Sequence, residues 1–571
     1  MGLINGALQI GKTALLAYQS ALQVTGNNVA NAGSSTYTRQ TPVLQPVIGG
    51  AIPEGFMPGG GVALADLRRN IDESLMNRLR IATSQMAMVT VQQQNIGRIE
   101  STMNELSEVD LSTLLQAFFN SFSALQNEPQ SLAQRDIVLS AATSLISALR
   151  QQRGDVLALR DELNNQIQRD TERAAKLVEN IRDLNVRIVA MEGGGQFGAN
   201  ALRDQRDQYL AELAEIIQVQ VREQPDGSVN VYVGNELLIQ GGMSRGLTCT
   251  LDNTDGIIRA TVRFADNNGN VALWGGRLAG LQKARDEQVL PHVEQLNSLA
   301  AALIQEVNKV HASGQGLSSG GWFTDVAGTY DVNDANLALN DARIGLDLIP
   351  RNGSFLITLT DSTGVATTTL ITVDLDGIGT DDSLNSLAAK INATVANLTA
   401  TVTSDNRLEL AAADGYTMTF AEDTSYVLAA LGINTFFSGK DAMDIGINEM
   451  LLENPARLAA ATDRTSGDGT NAARLAALGN EPVAAIGNQS LVEFYNLIVN
   501  NVAIKGAAAK ADVEAHDAVT TALSTQRESL SGVSLDEETI MLLKLERSFQ
   551  GAARFTSVVD RLIEEMLGIL G

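Results

Sequence analysis

Residues 541–569 read MLLKLERSFQGAARFTSVVDRLIEEMLGI, and taken in sevens they decide what kind of molecule this is. Met541, Ser548, Phe555, Leu562 and Ile569 fall on one line of a helix. Leu545, Ala552, Val559 and Met566 fall on the line beside it. Only Ser548 interrupts the apolar stripe, so the spacing is the one that winds one helix against another. The start is marked as well. Ser534-Leu535-Asp536-Glu537 has the form of a capping box, and Asp536 to Glu538 place negative charge at the positive end of the helix. The remaining faces mix Lys544, Arg547, Arg554 and Arg561 with Glu546, Asp560, Glu564 and Glu565, a balanced surface. Such a helix needs a partner.

The opposite end of the chain supplies a candidate. Leu8, Leu15, Leu22 and Val29 recur every seven residues, with Ile4 and Tyr18 on the adjoining line, which small or polar Gly11 and Thr25 interrupt. The pattern stops at Asn31-Ala32-Gly33, where glycine is suited to a left-handed helix end. Pro42, Pro46, Pro53 and Pro58, with Gly49, Gly50 and Gly59 to Gly61, then predict an extended, punctuated segment. Two heptad helices at the two ends predict an antiparallel pair.

These termini also carry a resemblance. Leu22-Gln23-Val24-Thr25-Gly26-Asn27-Asn28-Val29-Ala30-Asn31-Ala32-Gly33, followed by Tyr37-Thr38-Arg39-Gln40, resembles the N-terminal signature of the bacterial flagellar axial proteins of rod, hook and hook-associated type. Ser531-Gly532-Val533-Ser534-Leu535-Asp536-Glu537-Glu538, with Leu542-Leu543 and Phe549-Gln550-Gly551-Ala552-Ala553-Arg554, resembles their closing signature. Four internal stretches resemble the hook-associated members in particular: Leu202 to Asp207, Gly275 to Leu281, Leu296 to Ala300, and Val307 to Gly314. Ser34-Ser35-Thr36 departs from the usual threonine-proline-glycine before the tyrosine, and Lys544, Glu546 and Arg547 stand where the family often has glutamine and aromatic residues.

The 571 residues exceed what one core accommodates. Aromatic residues make up only 4%, which suits long helices packed through small and aliphatic side chains. The formal charge of −25 argues against nucleic-acid binding, which needs a basic surface. Cys249 is alone, so it forms no intramolecular disulfide and no thiolate metal site. No apolar run is long enough to cross a bilayer, and the first residues lack a secretory signal's basic start and apolar core. The resemblance implies a different route, passage of the unfolded chain through the flagellum's own type III export apparatus.

Along the chain, Ile71 to Met103, Leu111 to Leu125, the long stretch from Pro129 to Met191, and Asn200 to Ile217 keep helical spacing. Lengths of this kind point to a bundle. From Val219 the period changes to two, predicting a small antiparallel sheet through Phe264. Residues 322–437 combine threonine-rich strands with a helix that Thr380 to Ser383 opens and that runs to about Asn397, and helices resume at Leu491 to Ile504 and Val513 to Leu530. The fold class that follows is mainly α with β-rich inserted domains: an elongated multi-domain rod, its terminal helices paired as a coiled coil. The domains are 1–64 with 535–571 as the terminal, inner-tube domain; 65–217, 275–321 and 438–534 as the helical rod; 218–274 as a small antiparallel β region; and 322–437 as an outer α+β domain.

Three strings invite chemistry. Gly193-Gly194-Gly195-Gln196-Phe197-Gly198 follows a helix and leads to no Lys-Ser/Thr, so it reads as a hairpin and not a phosphate loop. Asp374-Leu375-Asp376-Gly377 begins like a calcium loop, but Ile378 and Asn385 occupy ligand positions. Asp204 and Asp207, on a face of alternating charge, read as members of exposed ion pairs. His292, His311 and His516 are widely spaced and form no His-Glu-x-x-His. The expectation is therefore no enzyme, no catalytic residue, no cofactor and no metal.

What the resemblance implies is a structural piece of the flagellum at the hook–filament junction. It would associate with itself in a tubular assembly, with the hook protein on one side and another hook-associated protein toward the filament. An export chaperone would cover its C-terminal helix, and neither nucleic acid nor membrane insertion is implied. The residues expected at the assembly interface are Leu8, Leu15, Leu22, Val29, Asn27, Asn28, Asn31, Met541, Leu545, Ala552, Phe555, Val559, Leu562 and Met566. A hook protein or third hook-associated protein shares the termini. An enzyme carried on such a rod, or a non-flagellar adhesin, would keep the helices and lose the junction role. Two apolar stripes return less than the conformational cost of ordering both helices, so the ends are expected to acquire shape only as copies assemble.

Overall fold

The computed structural model describes residues 2–34, 37–48, 59–103, 110–193, 198–254, 257–465 and 467–570. It is mainly helical, with small antiparallel sheets between the helices. In order, the elements are α1 (Gly2–Ala30), β1 (Gln40–Ile48), β2 (Gly59–Arg69), α2 (Glu73–Met103), α3 (Leu111–Asn127), α4 (Leu132–Glu192) and α5 (Asn200–Ile216). Then come β3 (Val219–Glu223), β4 (Val229–Val233), β5 (Glu236–Gln240), β6 (Met243–Ser244), β7 (Leu247–Thr254), β8 (Ile257–Phe264), α6 (Gly276–Lys283) and α7 (Leu290–Ala312). The next region holds β9 (Asp325–Ala327), β10 (Gly353–Thr360), β11 (Ala366–Val373), α8 (Leu384–Thr394), β12 (Leu398–Val402), β13 (Leu408–Ala412), β14 (Thr417–Ala421) and α9 (Val427–Leu431). Last are β15 (Phe437–Ser438), β16 (Gly446–Ile447), α10 (Glu449–Glu453), α11 (Thr470–Ala477), α12 (Leu491–Ser531) and α13 (Leu535–Leu570).

The chain divides into two compact units. One comprises 1–94, 162–284 and 508–571; the other comprises 95–161 and 285–507. In the first, α13 begins one residue after Ser534, whose hydroxyl accepts the Glu537 N–H at 3.5 Å. The reciprocal half of the capping box gives way to a tertiary contact, because the Glu537 carboxylate accepts from Arg39 at 2.7 Å. The close of α1 differs from expectation too. Gly33 does not adopt a left-handed conformation; instead the Asn31 amide turns back to the Asn27 carbonyl at 2.9 Å.

The segment after α1, predicted as merely extended, is a hairpin in which β1 pairs antiparallel with β2. Pro42 and Pro46 lie in β1, which a two-stranded ribbon tolerates because each strand has a free edge. Pro53, Pro58, Gly49 and Gly50 lie outside the described residues, as do Ser35, Thr36 and Gly194 to Phe197. The sheet predicted over 219–264 resolves into two: β3-β4-β5-β6 and a separate ribbon β7-β8.

Asparagines on helices hold these strands through their side-chain amides. Asn185 donates to the Val229 and Gly241 carbonyls at 2.9 and 2.8 Å and accepts the Val229 N–H at 3.1 Å. Asn164 does the same for β8, donating to Ile258 and accepting from Ala260. Asn77 bonds both backbone groups of Val221. A carboxamide carries one acceptor and one donor group, so it completes a strand edge as a neighbouring peptide would.

In the second unit, two three-stranded sheets, β11-β10-β14 and β12-β13-β9, share a core that includes Phe355, Ile357, Leu410, Met418 and Phe420. α8 follows Ser383, the last residue of the predicted opening, which caps it reciprocally with Ser386, and it ends at Thr394. Beside this core Phe118, Phe119, Phe122, Phe436 and Phe437 make mostly edge-to-face contacts with centroids 4.7–5.8 Å apart. The two helices predicted over 491–530 are one, α12, continuous through Gly506.

Candidate assembly interface

α1 and α13 run antiparallel in the first unit: Gly11 meets Thr556 and Phe555, while Asn28 meets Glu538 at the other end. The approach is close. A Cβ at Gly11 would fall 2.4 Å from the Thr556 hydroxyl oxygen, so any larger residue there must turn that hydroxyl aside. Gly61 is the second such glycine, at φ 96° and packed on Ile10 and Thr13, where β2 crosses α1.

The buried seam of α1 is its small-residue line, with Gly11, Ala17, Ala21, Thr25 and Asn28 all buried. Leu15 and Leu22 are half-buried beside it, and Leu8 and Val29 are exposed. On α13 the seam takes Glu538, Leu545 and Val559, with Met541 and Ala552 half-buried. Phe555, Leu562 and Met566 are exposed, at 43%, 51% and 38%. Two seven-residue lines on one helix face two directions, and a single partner helix covers only one of them. The line through Leu545, Ala552 and Val559 faces α1. The line through Phe555 and Leu562 is turned mostly outward, only the Phe555 ring edge reaching Gly11.

The two signatures meet at the far end of the pair. Asn28, buried, accepts the Gln40 N–H at 3.1 Å and donates to the Gln40 carbonyl at 2.9 Å. The same amide donates to Glu538 at 2.9 Å and accepts the Tyr37 hydroxyl at 2.7 Å. Arg39 donates through Nε to Glu538 at 2.8 Å and through a terminal nitrogen to Glu537, while its backbone N–H reaches the Ser531 carbonyl at 3.0 Å. Asn27 is exposed and reaches the Tyr37 oxygen at 3.4 Å; Asn31 is half-buried. Burial and the carboxylates of Asp204 and Glu538 push the Tyr37 hydroxyl up to about 12, so it remains a donor throughout the ordinary pH range.

The network continues into α5. Thr38 hydrogen bonds Asp204, and Arg69 at the end of β2 pairs with Asp204 at 3.2 Å and with Asp207; Arg80 lies 3.6 Å from Asp207. Arg206 is almost wholly buried and donates to Asn185 and the Gly227 carbonyl. This corrects the reading of Asp204 and Asp207 as exposed ion pairs, because the β1–β2 hairpin folds Arg69 over them. Burial raises the pKa of Asp204 and lowers that of Arg206. No periodicity in α5 announces this, since the covering arginine is remote in sequence.

Elsewhere the chemistry-bearing strings are occupied structurally. His311 is fully buried, its Nδ1 2.8 Å from the Asn434 carbonyl and its Nε2 accepting the Ala459 N–H at 2.9 Å. His292 is also buried, and His516 is half-buried. Gly316-Leu317-Ser318-Ser319-Gly320 has the letters of a nucleophile elbow, but it lies in turns after α7, not at a strand-to-helix corner. Asp374, Asp376 and Asp381 bring carboxylate oxygens within 4.8 Å of one another. Asp381 accepts from the Gly377 N–H and Asn340, and Asp376 from the Ile378 N–H, so these carboxylates close their own turn. Among the described residues no helix is long and apolar enough to cross a membrane.

Comparison with known proteins places this architecture. Residues 96–323 match the flagellar hook-associated protein FlgK helical domain. Flagellar hook-associated protein 1 of Escherichia coli K12 is 26% identical, with 99% of each chain covered. Its counterpart in Salmonella typhimurium LT2 is 27% identical at the same coverage. That of Bacillus subtilis 168 is 23% identical across 61% of this chain and 75% of its own. Among solved structures, the flagellar hook junction protein FlgK from Burkholderia pseudomallei shares the fold, with a TM-score of 0.53 at 16% identity, covering 80% of this chain and 100% of that one. With both terminal signatures joined in one network and a helical-domain match over residues 96–323, this protein is similar to flagellar hook-associated protein 1 along its whole length.

Proposed function

We infer that the chain is a structural component of the bacterial flagellum that joins hook to filament, and that it polymerises through the α1–α13 pair. The observation that carries the polymerisation is the apolar line left uncovered on that pair, Leu8 and Leu16 on α1 and Phe555, Val558, Leu562 and Met566 on α13. An exposed apolar line flanked by charged residues marks an interaction surface. Neighbouring copies cover it in a tube, whose ends contact the hook protein on one side and a second hook-associated protein on the other. Before export, a chaperone covers the same face of α13. The family is structural, and the chain leaves the cell unfolded through the flagellar export apparatus.

The pair of helices by itself leaves much of its apolar surface in water, so it gains its full order only within the assembly. Deleting the gene leaves cells that build hooks and shed filament protein into the medium; absence of hooks would instead identify a hook protein. Removing residues 1–30 and 541–571 leaves a soluble, folded middle that no longer assembles. Full protection of both terminal helices from hydrogen exchange in the dilute full-length protein would overturn the reading that assembly orders them.

A further inference from the structure

We propose that the buried cluster of Asn28, Arg39 and Glu538 is the register lock of the terminal helix pair, the element that decides which turn of α13 lies against which turn of α1. It goes beyond the junction role, because it concerns pairing within one chain. Apart from the close approach of Gly11 to Thr556, the apolar seam does little to set the register. On α1 it consists largely of small side chains, Gly11, Ala17 and Ala21. On α13 the seam positions repeat every seven residues through Leu545, Ala552 and Val559. Sliding α13 by one heptad, about 10.5 Å along its axis, sets apolar or small residues where others stood and keeps the same face inward.

One position does not survive the slide. Glu538 continues the heptad line of Leu545 and Ala552, yet it is a buried carboxylate. It is matched by the Asn28 amide at 2.9 Å and the Arg39 Nε at 2.8 Å. Asn28 is in turn held on both backbone groups of Gln40, and Arg39 is tied to the Ser531 carbonyl and Glu537. A slide in one direction sets Leu545 against the Asn28 amide and Arg39. A slide in the other carries Ser531, beyond the start of α13, to that site. Either way the carboxylate leaves its donors, and a buried polar group without its partner disfavours the slipped pairing far more than the seam does. A single polar position inside an otherwise degenerate heptad seam specifies register in this way.

Engineered disulfides in the full-length chain, with Cys249→Ser to remove the native thiol, test it. A Cβ at position 11 falls 3.3 Å from that of Thr556, so Gly11→Cys with Thr556→Cys traps the register seen here. Gly11→Cys with Phe549→Cys, or with Ile563→Cys, each carrying Thr556→Ala to remove the hydroxyl 2.4 Å from the new Cβ, traps a slip of one heptad either way. Products are quantified as intramolecular links by gel mobility and peptide mass spectrometry in dilute solution. The pair need form only transiently to be trapped, and no polymer is required, so a failure of polymerisation is distinguishable from a failure of the lock. With the cluster intact, the 11–556 link exceeds each slipped link by about tenfold or more. Glu538→Ala brings the three within about threefold of one another, at unchanged helicity. Glu538→Gln, which keeps an acceptor, stays nearer the parent. Equal yields in the intact chain, or an undiminished preference for 11–556 in Glu538→Ala and in Asn28→Ala alike, overturns the proposal.

Discussion

Lowering the pH from about 7 to about 5 should loosen the surroundings of His311 by an amount that its geometry sets. The ring is fully buried, with a donor bond to the Asn434 carbonyl and an acceptor bond from the Ala459 N–H, so the folded site holds the neutral imidazole. Burial is the main cause that brings its pKa down to about 4, from an ordinary 6.5. The sign follows from proton counting. Above 6.5 neither state binds the proton, and the residue contributes no pH dependence. Between 6.5 and about 4 the unfolded chain binds a proton that the folded one refuses, so stability falls as pH falls. At about 1.4 kcal/mol per tenfold in proton affinity, the loss from pH 7 to pH 5 is about 2 kcal/mol. Hydrogen exchange of the Ala459 amide, the one bonded to Nε2, measures it directly. His311→Gln keeps a donor and an acceptor while removing the titration. The difference between wild type and variant isolates this residue from carboxylates such as Asp423, whose buried acid shifts the opposite way. The reasoning is refuted if both proteins lose protection equally over that interval.

Arg69→Met leaves Asp204 and Asp207 largely buried without their principal cation and costs about 3–5 kcal/mol, read as a lower urea midpoint and faster exchange in α5. Phe118→Ala opens the aromatic cluster beside His311 and costs about 3–5 kcal/mol, measured by the same unfolding experiment. Phe555→Ser combined with Leu562→Ser changes the stability of the isolated chain by no more than about 0.5 kcal/mol per site, because both side chains are already exposed. It nonetheless abolishes polymerisation, scored by sedimentation and by the motility of complemented cells. Polymers formed normally by that double variant would remove the apolar line from the interface.

Helix and strand positions were largely legible in the order of residues. α4, α5, β3, β4 and the opening of α8 near Thr380 to Ser383 follow from period and local residue type, properties that need no distant partner. The β1–β2 hairpin was missed because its prolines read as punctuation, whereas edge strands tolerate them. The asparagine clamps went unread because a carboxamide on a helix looks like surface until a strand edge arrives to use it. Asn28 was singled out as an interface residue for its place in a signature; that it spans Gln40 and Glu538 at once is visible only in three dimensions.

What the sequence alone determined is that a long amphipathic helix lies at each end of the chain, since periodicity is written residue by residue. Tertiary structure decided which line of each helix faces inward. The helix propensity and period are the same for both lines, and only the close approach at Gly11 and the polar cluster at Glu538 choose between them. That choice turned the small residues of α1 into the seam and left Leu8, Phe555 and Leu562 in water.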